Sequence, residues 1–260
     1  MTDVITAFKA LHIPGDPLML FNIWDAGSAR AVAGAGAKAI ATGSYGVAEA
    51  QGFKDGEDFS IEDALRNLER IVSVTDLPVT LDFETGYGST PARVTASVRR
   101  ALDAGAAGIN MEDRMPGETA LLPVAQAAER VAAAASVGLF VNARCDVYRG
   151  IKPEGVKVEN GGQHLIDAVL ERAEAYAAAG ASGLFVPFLG NHAVIKAICE
   201  ASPLPVNILW GPGRGTRAEL AALGIARISY GHGPWAATMD WLAGQARAVF
   251  AGDVVPYGAG

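Results

Sequence analysis

The stretch VTLDFETGYGSTPARVTASVRRALDAGAAGINME, residues 79–112, decides the fold class. Two short apolar runs, Val79–Phe83 and Gly108–Glu112, lack the alternation of a half-exposed strand and are typical of strands buried on both faces. A helical pattern over Pro91–Ala104 separates them, with Thr90 as its N-cap and proline at its first position. Glycine follows the helix, where it supplies a left-handed C-cap. The stretch therefore predicts two parallel strands joined by a right-handed helical crossover.

The same alternation continues along the chain. We predict strands at Leu18–Asn22, Lys38–Thr42, Val79–Phe83, Gly108–Glu112, Leu139–Arg144, Gly183–Pro187, Val206–Trp210 and Ala226–Tyr230. We predict helices at Ser28–Gly34, Ile61–Val74, Pro91–Ala104, Val124–Ala135, His164–Ala179, His192–Ala201, Arg217–Leu223 and Pro234–Phe250. Eight such units in about 250 residues predict an α/β fold, a single (β/α)8 TIM barrel domain over residues 1–260. A doubly wound sheet is the alternative, although no G-x-G-x-x-G follows the first strand.

Composition excludes several classes of protein. Of 260 residues, 50% are apolar and 19% are charged, which is too apolar for a disordered chain. The net charge is −7 and no run of Lys or Arg occurs, so we expect no nucleic-acid partner. We expect no membrane span, because no apolar stretch reaches about 18 residues. Two cysteines, with no apolar signal segment at the N-terminus, favour a reducing cytoplasm.

Acidic residues collect where the third and fourth strands end. In a TIM barrel these C-terminal ends face the active site. Asp82 and Glu84 are expected on one side of their strand, with Glu112 at the matching level of the next strand. Two carboxylates about 4 Å apart repel by roughly 4 kcal/mol at an effective dielectric constant near 20. Such a cluster protonates or holds a cation, and an all-oxygen set favours Mg²⁺, or Mn²⁺, bound partly through water.

Other strand ends carry groups suited to a small acid substrate. Arg144, on the fifth strand, offers a charge-assisted fork for a carboxylate. Gly43 and Ser44 offer backbone N–H groups at the end of the second strand, which suit an oxyanion or a carboxylate. Trp24, after the first strand, and Asn207, on the seventh, are further candidates for substrate binding.

Structural explanations compete with these roles. The carboxylates could form an ion pair with Arg144. The dipeptide Trp24-Asp25 could mark a helix entry with an N-cap at 25 or 28. Asp55 lies in a Gly-Phe-Lys-Asp-Gly segment typical of a turn, and His232 is typical of a loop. Four more residues are interpreted as structural: His12 and His192 at surface or cap positions, Cys145 facing away from the site, and Cys199 packed in a helix.

One run of residues has the pattern of a known family. Leu81–Gly88, Leu-Asp-Phe-Glu-Thr-Gly-Tyr-Gly, resembles the Asp-x-Asp/Glu-x-Gly-Tyr-Gly signature of the isocitrate lyase/phosphoenolpyruvate mutase superfamily. Phe21–Asp25 resembles the opening of its short bacterial members, and the resemblance spans roughly residues 18–250. Further segments agree with the family in order along the chain: Ala41–Ser44, Gly52–Asp55, Ile109–Asp113 and Asn142–Arg144.

The resemblance implies a TIM barrel whose last helix is exchanged between the subunits of a dimer or tetramer. It also implies a Mg²⁺ ion that chelates the carboxylate and 2-oxo group of a small acid and stabilises an enolate. By position, Asp82 resembles the direct metal ligand, and Glu84 and Glu112 resemble ligands that act partly through water. Asp55 resembles an acid near the metal in the mutase branch. The groups that resemble those holding the substrate carboxylate and the enolate oxygen are Gly43, Ser44 and Arg144.

The loop after the fourth strand departs from the family pattern. Isocitrate and methylisocitrate lyases carry Lys-(Lys/Arg)-Cys-Gly-His there, whereas Arg114–Leu121 contains no Cys, Lys or His. The longer loop with Lys and Asn of the mutase and phosphonopyruvate hydrolase branches is also missing, and Pro187 stands where those branches have a histidine. His232 resembles a Gly-His of an oxaloacetate decarboxylase branch. A reaction that needs little proton transfer, such as decarboxylation of oxaloacetate, is therefore favoured.

These observations support one leading hypothesis and two rivals. The leading hypothesis is a Mg²⁺-dependent lyase that cleaves a C–C bond of a small 2-oxo or 2-hydroxy (di)carboxylic acid, as oxaloacetate decarboxylases and methylisocitrate lyases do. Tyr45, Asp55 or His232 then moves protons. The first rival is a P–C bond enzyme, such as a phosphonopyruvate hydrolase or a phosphoenolpyruvate mutase. The second is a catalytically silent protein that binds 2-oxo acids. Arg114–Leu121 and Gly150–Gly162 are alternative candidates for a lid.

Overall fold

The computed structural model describes residues 2–150 and 162–254. The described residues form eight strands: β1 (Leu18–Leu20), β2 (Ile40–Ala41), β3 (Val79–Asp82), β4 (Gly108–Glu112), β5 (Phe140–Arg144), β6 (Gly183–Val186), β7 (Val206–Leu209) and β8 (Arg227–Ser229). They also form ten α-helices: α1 (Thr2–Ala10), α2 (Ala26–Gly34), α3 (Ser44–Ala50), α4 (Ile61–Val72), α5 (Pro91–Asp103), α6 (Val124–Ala135), α7 (Gln163–Ala178), α8 (His192–Ala201), α9 (Arg217–Ala221) and α10 (Gly233–Phe250). Most of the predicted insertion Gly150–Gly162 lies outside the described residues, so a lid role for it stays a prediction.

All eight strands are parallel and pair in the order β1-β8-β7-β6-β5-β4-β3-β2. The first and last strands pair with Leu20 opposite Ser229. A bridge between Ile23 and Thr42 connects the chain after β1 to the end of β2. A doubly wound sheet would keep two open edges and place its first strand inside the sheet. The predicted TIM barrel is therefore confirmed.

The structure adds two helices to the prediction and shortens most strands. No element was predicted where α1 lies, before the first strand. Helix α3 begins at Ser44 directly after β2, and Gly43 offers no side-chain cap, so the usual sequence signal of a helix start is missing. Strand β3 ends at Asp82, and Glu84 adopts a φ of 51°. The expectation that Asp82 and Glu84 project from one side of a strand is therefore wrong.

Capping side chains start several helices where the sequence predicted them. The hydroxyls of Ser60 and Thr90 each accept the N–H of the third residue of the following helix. Asp25 and Ser28 cap α2 reciprocally: the Asp25 carboxylate accepts the Ser28 N–H at 2.7 Å, and the Ser28 hydroxyl accepts the Asp25 N–H at 3.1 Å. Such caps contribute about 1 kcal/mol each. The dipeptide Trp24-Asp25 is thus a helix entry.

Alternation along the strands divides their side chains between an outer apolar layer and the barrel interior. Outward residues such as Leu81, Ile109 and Val141 are buried in the main core against the helices. The bottom of the interior is a separate apolar cluster in which Phe8 of α1 packs with residues of the strand starts, including Phe140. The middle of the interior is polar, and its buried side chains include Asn110, Asn142, Asn207, Arg227 and Ser229. Barrel interiors are usually filled by branched apolar side chains, and this polar layer departs from that composition.

His12, which was expected at a surface or cap position, is buried at the bottom of the barrel. It follows the end of α1 by two residues, and its ring stacks on Phe140 with centroids 4.2 Å apart. Its Nδ1 lies 2.9 Å from the Phe8 carbonyl oxygen. Burial, and then the positive charge of Arg227, lowers the pKa of His12 to about 3. The folded protein therefore keeps His12 neutral.

Neutral burial of His12 predicts that the fold loses stability in acid. Because the pKa is lowered on folding, the unfolded chain binds a proton below its own pKa of 6.5 that the folded chain excludes until about pH 3. The free energy of unfolding is expected to fall, through this residue, by up to about 3 kcal/mol between pH 7 and pH 4.5. Urea unfolding at both pH values measures the fall. The variant His12→Phe retains a ring against Phe140 and should show a smaller fall, and an equal fall in both proteins would contradict this assignment.

The last helix, α10, has 18 residues and exposes apolar side chains. Leu242 and Phe250 are 53% and 86% exposed, and Trp241 and Val249 are also exposed. Apolar side chains gathered on one exposed element commonly mark a contact surface for another protein. Over residues 2–150 and 162–254, no helix combines the length and the apolar character that crossing a membrane requires.

Candidate active site

A cavity of about 130 Å³ opens at the C-terminal ends of the strands. Pockets for drug-sized ligands begin at roughly 300 Å³, so this one suits a smaller molecule. A second cavity of about 110 Å³ adjoins it and shares Asp55 and Arg149. The first cavity is lined by Asn22, Gly43, Ser44, Tyr45, Asp55, Asp82, Asn110, Arg144, Arg149, Phe185, Pro187, Phe188, Leu209, Ser229, Gly231 and His232.

The structure gathers most of the predicted site residues around these two cavities. Glu84 and Glu112 line the second cavity rather than the first. Trp24 and Asn207 line neither: Trp24 packs beside the apolar cluster of α3 and α4, and Asn207 is hydrogen-bonded to Ser229 in the barrel interior. Seven predicted residues line the first cavity: Gly43, Ser44, Tyr45, Asp55, Asp82, Arg144 and His232.

Asp82 carries an acceptor atom without a partner. Its Oδ2 accepts the Ser44 N–H at 3.1 Å, and its own N–H donates to the Thr42 hydroxyl at 2.9 Å. Its Oδ1 is buried and has no hydrogen-bond partner among the described residues. Buried polar atoms are nearly always satisfied by protein, water or an ion. Because Asp82 lines the first cavity, this oxygen is available to a water or an ion there.

Glu84 and Glu112 are buried acids with raised pKa values. Burial, followed by the charges of Asp55, Asp82 and Glu112, raises the pKa of Glu84 to about 8. Burial also raises the pKa of Glu112 to about 7, although Arg144 opposes the shift. The four carboxyl groups are thus close enough to repel one another. A cation among them would offset both the free-energy cost of burying charged carboxylates and their mutual repulsion.

The donor set fits a hard, partly hydrated cation. Within residues 2–150 and 162–254, no three His, Cys, Asp or Glu side chains converge closely enough to hold a metal ion by themselves. Magnesium commonly binds through one or two carboxylates and keeps several waters. The unpartnered Oδ1 of Asp82, with Glu84 and Glu112 lining the adjoining cavity, fits that mode of binding. The carboxylate donors favour a hard ion, and neither free cysteine lines the cavity to add a sulfur donor.

Arg144 is held between two acids. Its Nε and Nη2 donate to the two carboxylate oxygens of Asp146 at 2.7 and 3.1 Å. Its Nη1 lies 2.6 Å from Oε1 of Glu112. The fully buried Asp146 also accepts a hydrogen bond of 3.1 Å from Arg149. The guanidinium of Arg144 is therefore fixed in place before any substrate arrives.

The ion pair that was considered from the sequence forms at only part of the acidic cluster. Glu112 pairs with Arg144, whereas Asp82 and Glu84 make no ion pair within the described part of the chain. Sequence reasoning missed Asp146, which follows Arg144 by two residues just beyond the strand. That spacing is the one sequence signal of its role, since it lets the carboxylate turn back onto the guanidinium.

The backbone N–H groups of Gly43 and Ser44 have acceptors of their own. Gly43 donates to the carbonyl oxygen of Ile23 at 3.1 Å, and Ser44 donates to Asp82. What this turn presents to the cavity is the Ser44 hydroxyl, which interacts with Asp55. A Cβ at position 43 would lie 3.3 Å from the carbonyl oxygen of Gly231, so glycine permits the close approach of β2 and β8 there.

Asp55 sits on a loop that is docked against the end of β3. Oε1 of Glu57 accepts hydrogen bonds from the N–H and the hydroxyl of Thr85 and from the N–H of Tyr87. Glu57, Glu84 and Tyr87 have φ values of 64°, 51° and 48°. Such left-handed residues cost of order 1–3 kcal/mol each and cluster at functional sites. Backbone N–H groups in such turns form an anion-binding concavity, which here is filled by the chain's own Glu57.

Three protonatable groups surround the cavity. The rings of Tyr45 and His232 lie 5.4 Å apart between centroids. Asp55 remains accessible at the mouth, and its partial desolvation raises its pKa, opposed by its hydrogen bond with Ser44. The other side of the cavity is apolar and consists of Phe185, Pro187, Phe188 and Leu209.

The docking of Glu57 leads to a prediction for the mobility of residues 52–58. The variant Glu57→Gln keeps the size of the side chain but removes the charge that receives two backbone N–H groups. Loss of a charge-assisted hydrogen bond of about 1.5 kcal/mol raises the equilibrium constant for opening of the loop by a factor of about ten. We therefore expect the backbone amides of residues 52–58 to exchange with deuterium about ten times faster, with little change in Tm. Glu49→Gln, at an exposed position of α3, is the matched control. Equal exchange in the two variants would show that Glu57 does not hold the loop.

The chain matches the family model described as phosphoenolpyruvate phosphomutase over residues 8–250. The chain belongs to this family. The resemblance to the isocitrate lyase/phosphoenolpyruvate mutase superfamily is thereby confirmed.

Relatives with known names or structures agree with this family. A Burkholderia cenocepacia protein provisionally named a phosphonomutase is 46% identical, with a TM-score of 0.88 over 95% of this chain and 98% of that one. The 2-methylisocitrate lyase of Escherichia coli is 29% identical over 77% of this chain and 67% of its own length. An oxaloacetate decarboxylase of Rhodopseudomonas palustris is 31% identical over 74% of this chain and 66% of its own length. Superfamily members of this kind are lyases or mutases, which supports an enzymatic role for this chain.

Proposed function

We propose that this chain is a Mg²⁺-dependent lyase that cleaves a C–C bond of a small 2-oxo or 2-hydroxy (di)carboxylic acid through an enolate. The observation that carries the proposal is the buried, unpartnered Oδ1 of Asp82 in a small cavity that Arg144 also lines. A bound Mg²⁺ would supply Lewis-acid chemistry that withdraws electrons from the 2-oxo group. The relationship to 2-methylisocitrate lyases and oxaloacetate decarboxylases supports the same class of reaction.

The residues around the cavity divide between metal and substrate. Asp82 would hold the ion directly, and Glu84 and Glu112 would act through water. Arg144 would bind the substrate carboxylate, because its five N–H groups exceed what its two acidic partners occupy. Its fixed orientation reduces the entropy lost when substrate binds. The Ser44 hydroxyl would add a second contact.

In a 2-oxo acid, bond cleavage leaves an electron pair on the carbon beside the carbonyl, and this enolate must then gain a proton. In a 2-hydroxy acid the hydroxyl first gives its proton to a base and becomes the new carbonyl, and the departing carbon takes the electron pair and then a proton. Asp55, Tyr45 and His232 border the cavity and are the groups that would deliver it or orient a water. Residues 114–117 line the second cavity and include no Cys, Lys or His. Because few side chains around the two cavities can transfer a proton, decarboxylation is favoured, since carbon dioxide leaves without a general acid.

A P–C bond enzyme is the second candidate. The observation that favours it is the 46% identity to the Burkholderia cenocepacia protein that is provisionally named a phosphonomutase. A phosphonate would occupy the same cavity and would again leave an enolate of pyruvate when its P–C bond breaks. Both candidates therefore use the same metal and the same arginine, and they differ in the leaving group.

Incubation with Mg²⁺ and each of three acids separates the candidates by product. We expect oxaloacetate to yield pyruvate and carbon dioxide faster than in buffer with Mg²⁺ alone. Release of succinate from 2-methylisocitrate would instead identify the chain as a lyase that acts on larger acids. Release of phosphate, or formation of phosphoenolpyruvate, from phosphonopyruvate would assign P–C chemistry. Binding without turnover of any acid would identify a silent binding protein and contradict the proposed enzyme.

The metal site has its own test. Asp82→Asn keeps the shape of the side chain but removes its charge, and we expect Mn²⁺ to bind at least about ten times more weakly, by titration calorimetry. Such a loss corresponds to about 1.4 kcal/mol. Asp103→Asn, at an exposed position at the end of α5, is the matched control. Unchanged Mn²⁺ affinity in Asp82→Asn would remove Asp82 from the metal site.

We also propose that the chain forms a dimer or tetramer through α10, and that it works in a reducing cytoplasm where its two free cysteines persist. The exposed apolar side chains of α10 support the first part. Replacing both Leu242 and Phe250 by Asp is expected to convert the oligomer to a monomer in light scattering. A monomeric unmodified chain would contradict the proposed assembly.

A further inference from the structure

Arg227 is a cation inside the barrel. It lies on β8, and its side chain is fully buried. Its Nε donates to the Ser229 hydroxyl at 3.2 Å and its Nη2 donates to Oδ1 of Asn110 at 3.1 Å. Its Nη1 is buried without a hydrogen-bond partner, and within the described part of the chain no carboxylate lies at ion-pair distance from it. A buried charge without a paired anion costs several kcal/mol.

The surroundings of Arg227 do not supply the missing anion. His12 lies toward the bottom of the barrel and is neutral. The neighbouring polar groups on the strands, Asn142 and Asn207, are uncharged. Asp82 is the carboxylate whose charge acts on Arg227, yet burial still lowers the pKa of Arg227 to about 9. At neutral pH the guanidinium therefore remains charged and incompletely compensated.

The hydrogen bonds of Arg227 lead directly to the active-site cavity. Its two acceptors, Asn110 and Ser229, both line that cavity, and so does Asp82. Oδ1 of Asn110 also accepts a hydrogen bond from Asn142 at 2.9 Å, and the Ser229 hydroxyl bonds Asn207 at 3.2 Å. Arg227 thus lies directly beneath the side chains that form the cavity floor. Its hydrogen bonds hold two of these side chains, Asn110 and Ser229, in place.

Stability alone gives little reason for this arrangement. Replacing buried charged groups by apolar side chains of similar volume is often neutral or stabilising. Residues that cost stability but serve a ligand are a recurrent feature of functional sites. An anion in the cavity above Arg227 would supply the charge that the protein itself leaves out.

We propose that Arg227 is a positioning residue that favours anionic ligands in the active-site cavity, by placing a buried positive charge beneath its floor and by holding Asn110 and Ser229 in place. The inference rests on the proposed function in one respect, since it takes the ligand to be a small carboxylic acid. The charge acts through the floor side chains, and Arg227 itself touches neither substrate nor reacting atoms.

A pair of probes of different charge tests the proposal. Oxalate carries two negative charges, and oxamate, in which an amide replaces one carboxylate, carries one. Their dissociation constants are measured by titration calorimetry at a fixed Mg²⁺ concentration for the unmodified chain and for Arg227→Met and Arg227→Lys. We expect Arg227→Met to weaken oxalate about tenfold or more and oxamate much less, while Arg227→Lys keeps most of the preference for oxalate.

Urea unfolding without ligand supplies the second measurement. We expect Arg227→Met to be at least as stable as the unmodified chain. If Arg227 had a purely structural role, Arg227→Met would bind both probes more weakly by the same factor and would unfold at a lower urea concentration. Equal weakening of the two probes would overturn the proposal, and so would a loss of stability. If Arg227→Met does not fold, Arg227→Gln carries the same comparison of oxalate with oxamate, and an unchanged preference overturns the proposal. Failure of the unmodified chain to bind oxalate would overturn the proposed function together with this inference, whereas equal preference in all variants would overturn this inference alone.

Discussion

Repulsion among carboxylates that lie together at one end of the barrel, some of them buried, is the constraint on which the rest of the site depends. Asp55, Asp82, Glu84 and Glu112 come from separate loops and strand ends, and burial and mutual repulsion raise the pKa of the last two. Arg144 offsets part of this charge through Glu112. The remainder is offset when a proton or a hard cation is present. An oxygen-rich cavity of this kind favours a cation by its electrostatics, and this preference supports the metal site that we propose.

Rigid attachment of the flanking groups complements this electrostatic design. Asp146 holds the guanidinium of Arg144 in a bidentate contact, and Glu57 holds the loop of Asp55 against β3. Both contacts use a carboxylate to fix a neighbour rather than to bind a ligand. Glu57 and Glu84 adopt left-handed backbone conformations, and this backbone strain is part of the free-energy cost of building the site. A site prepared in this way would lose little entropy on binding the small acid that we propose as its substrate.

Different layers of the barrel contribute to stability and to the candidate site. Outward strand residues and Phe8 at the bottom supply apolar burial, while the polar layer around Arg227 contributes little to it. Neutral His12 and charged Arg227 lie close enough for one to affect the pKa of the other. The histidine remains uncharged, and the cation lies above it, beneath the floor of the cavity.

The amino-acid sequence by itself determined the parallel barrel and several helix caps, because these depend on local periodicity and on short motifs. Asp82 and Arg144 were predicted as site residues from strand-end position and from a family pattern, and the structure places both at one cavity. Only the tertiary structure decided that Glu84 leaves its strand, that Trp24 and Asn207 lie away from the cavity, and that Asp146, Glu57 and Arg227 support it. Each of these depends on contacts between segments distant in the chain. Closing the cylinder brings β8 across from β4, and no local pattern encodes which buried side chains then meet.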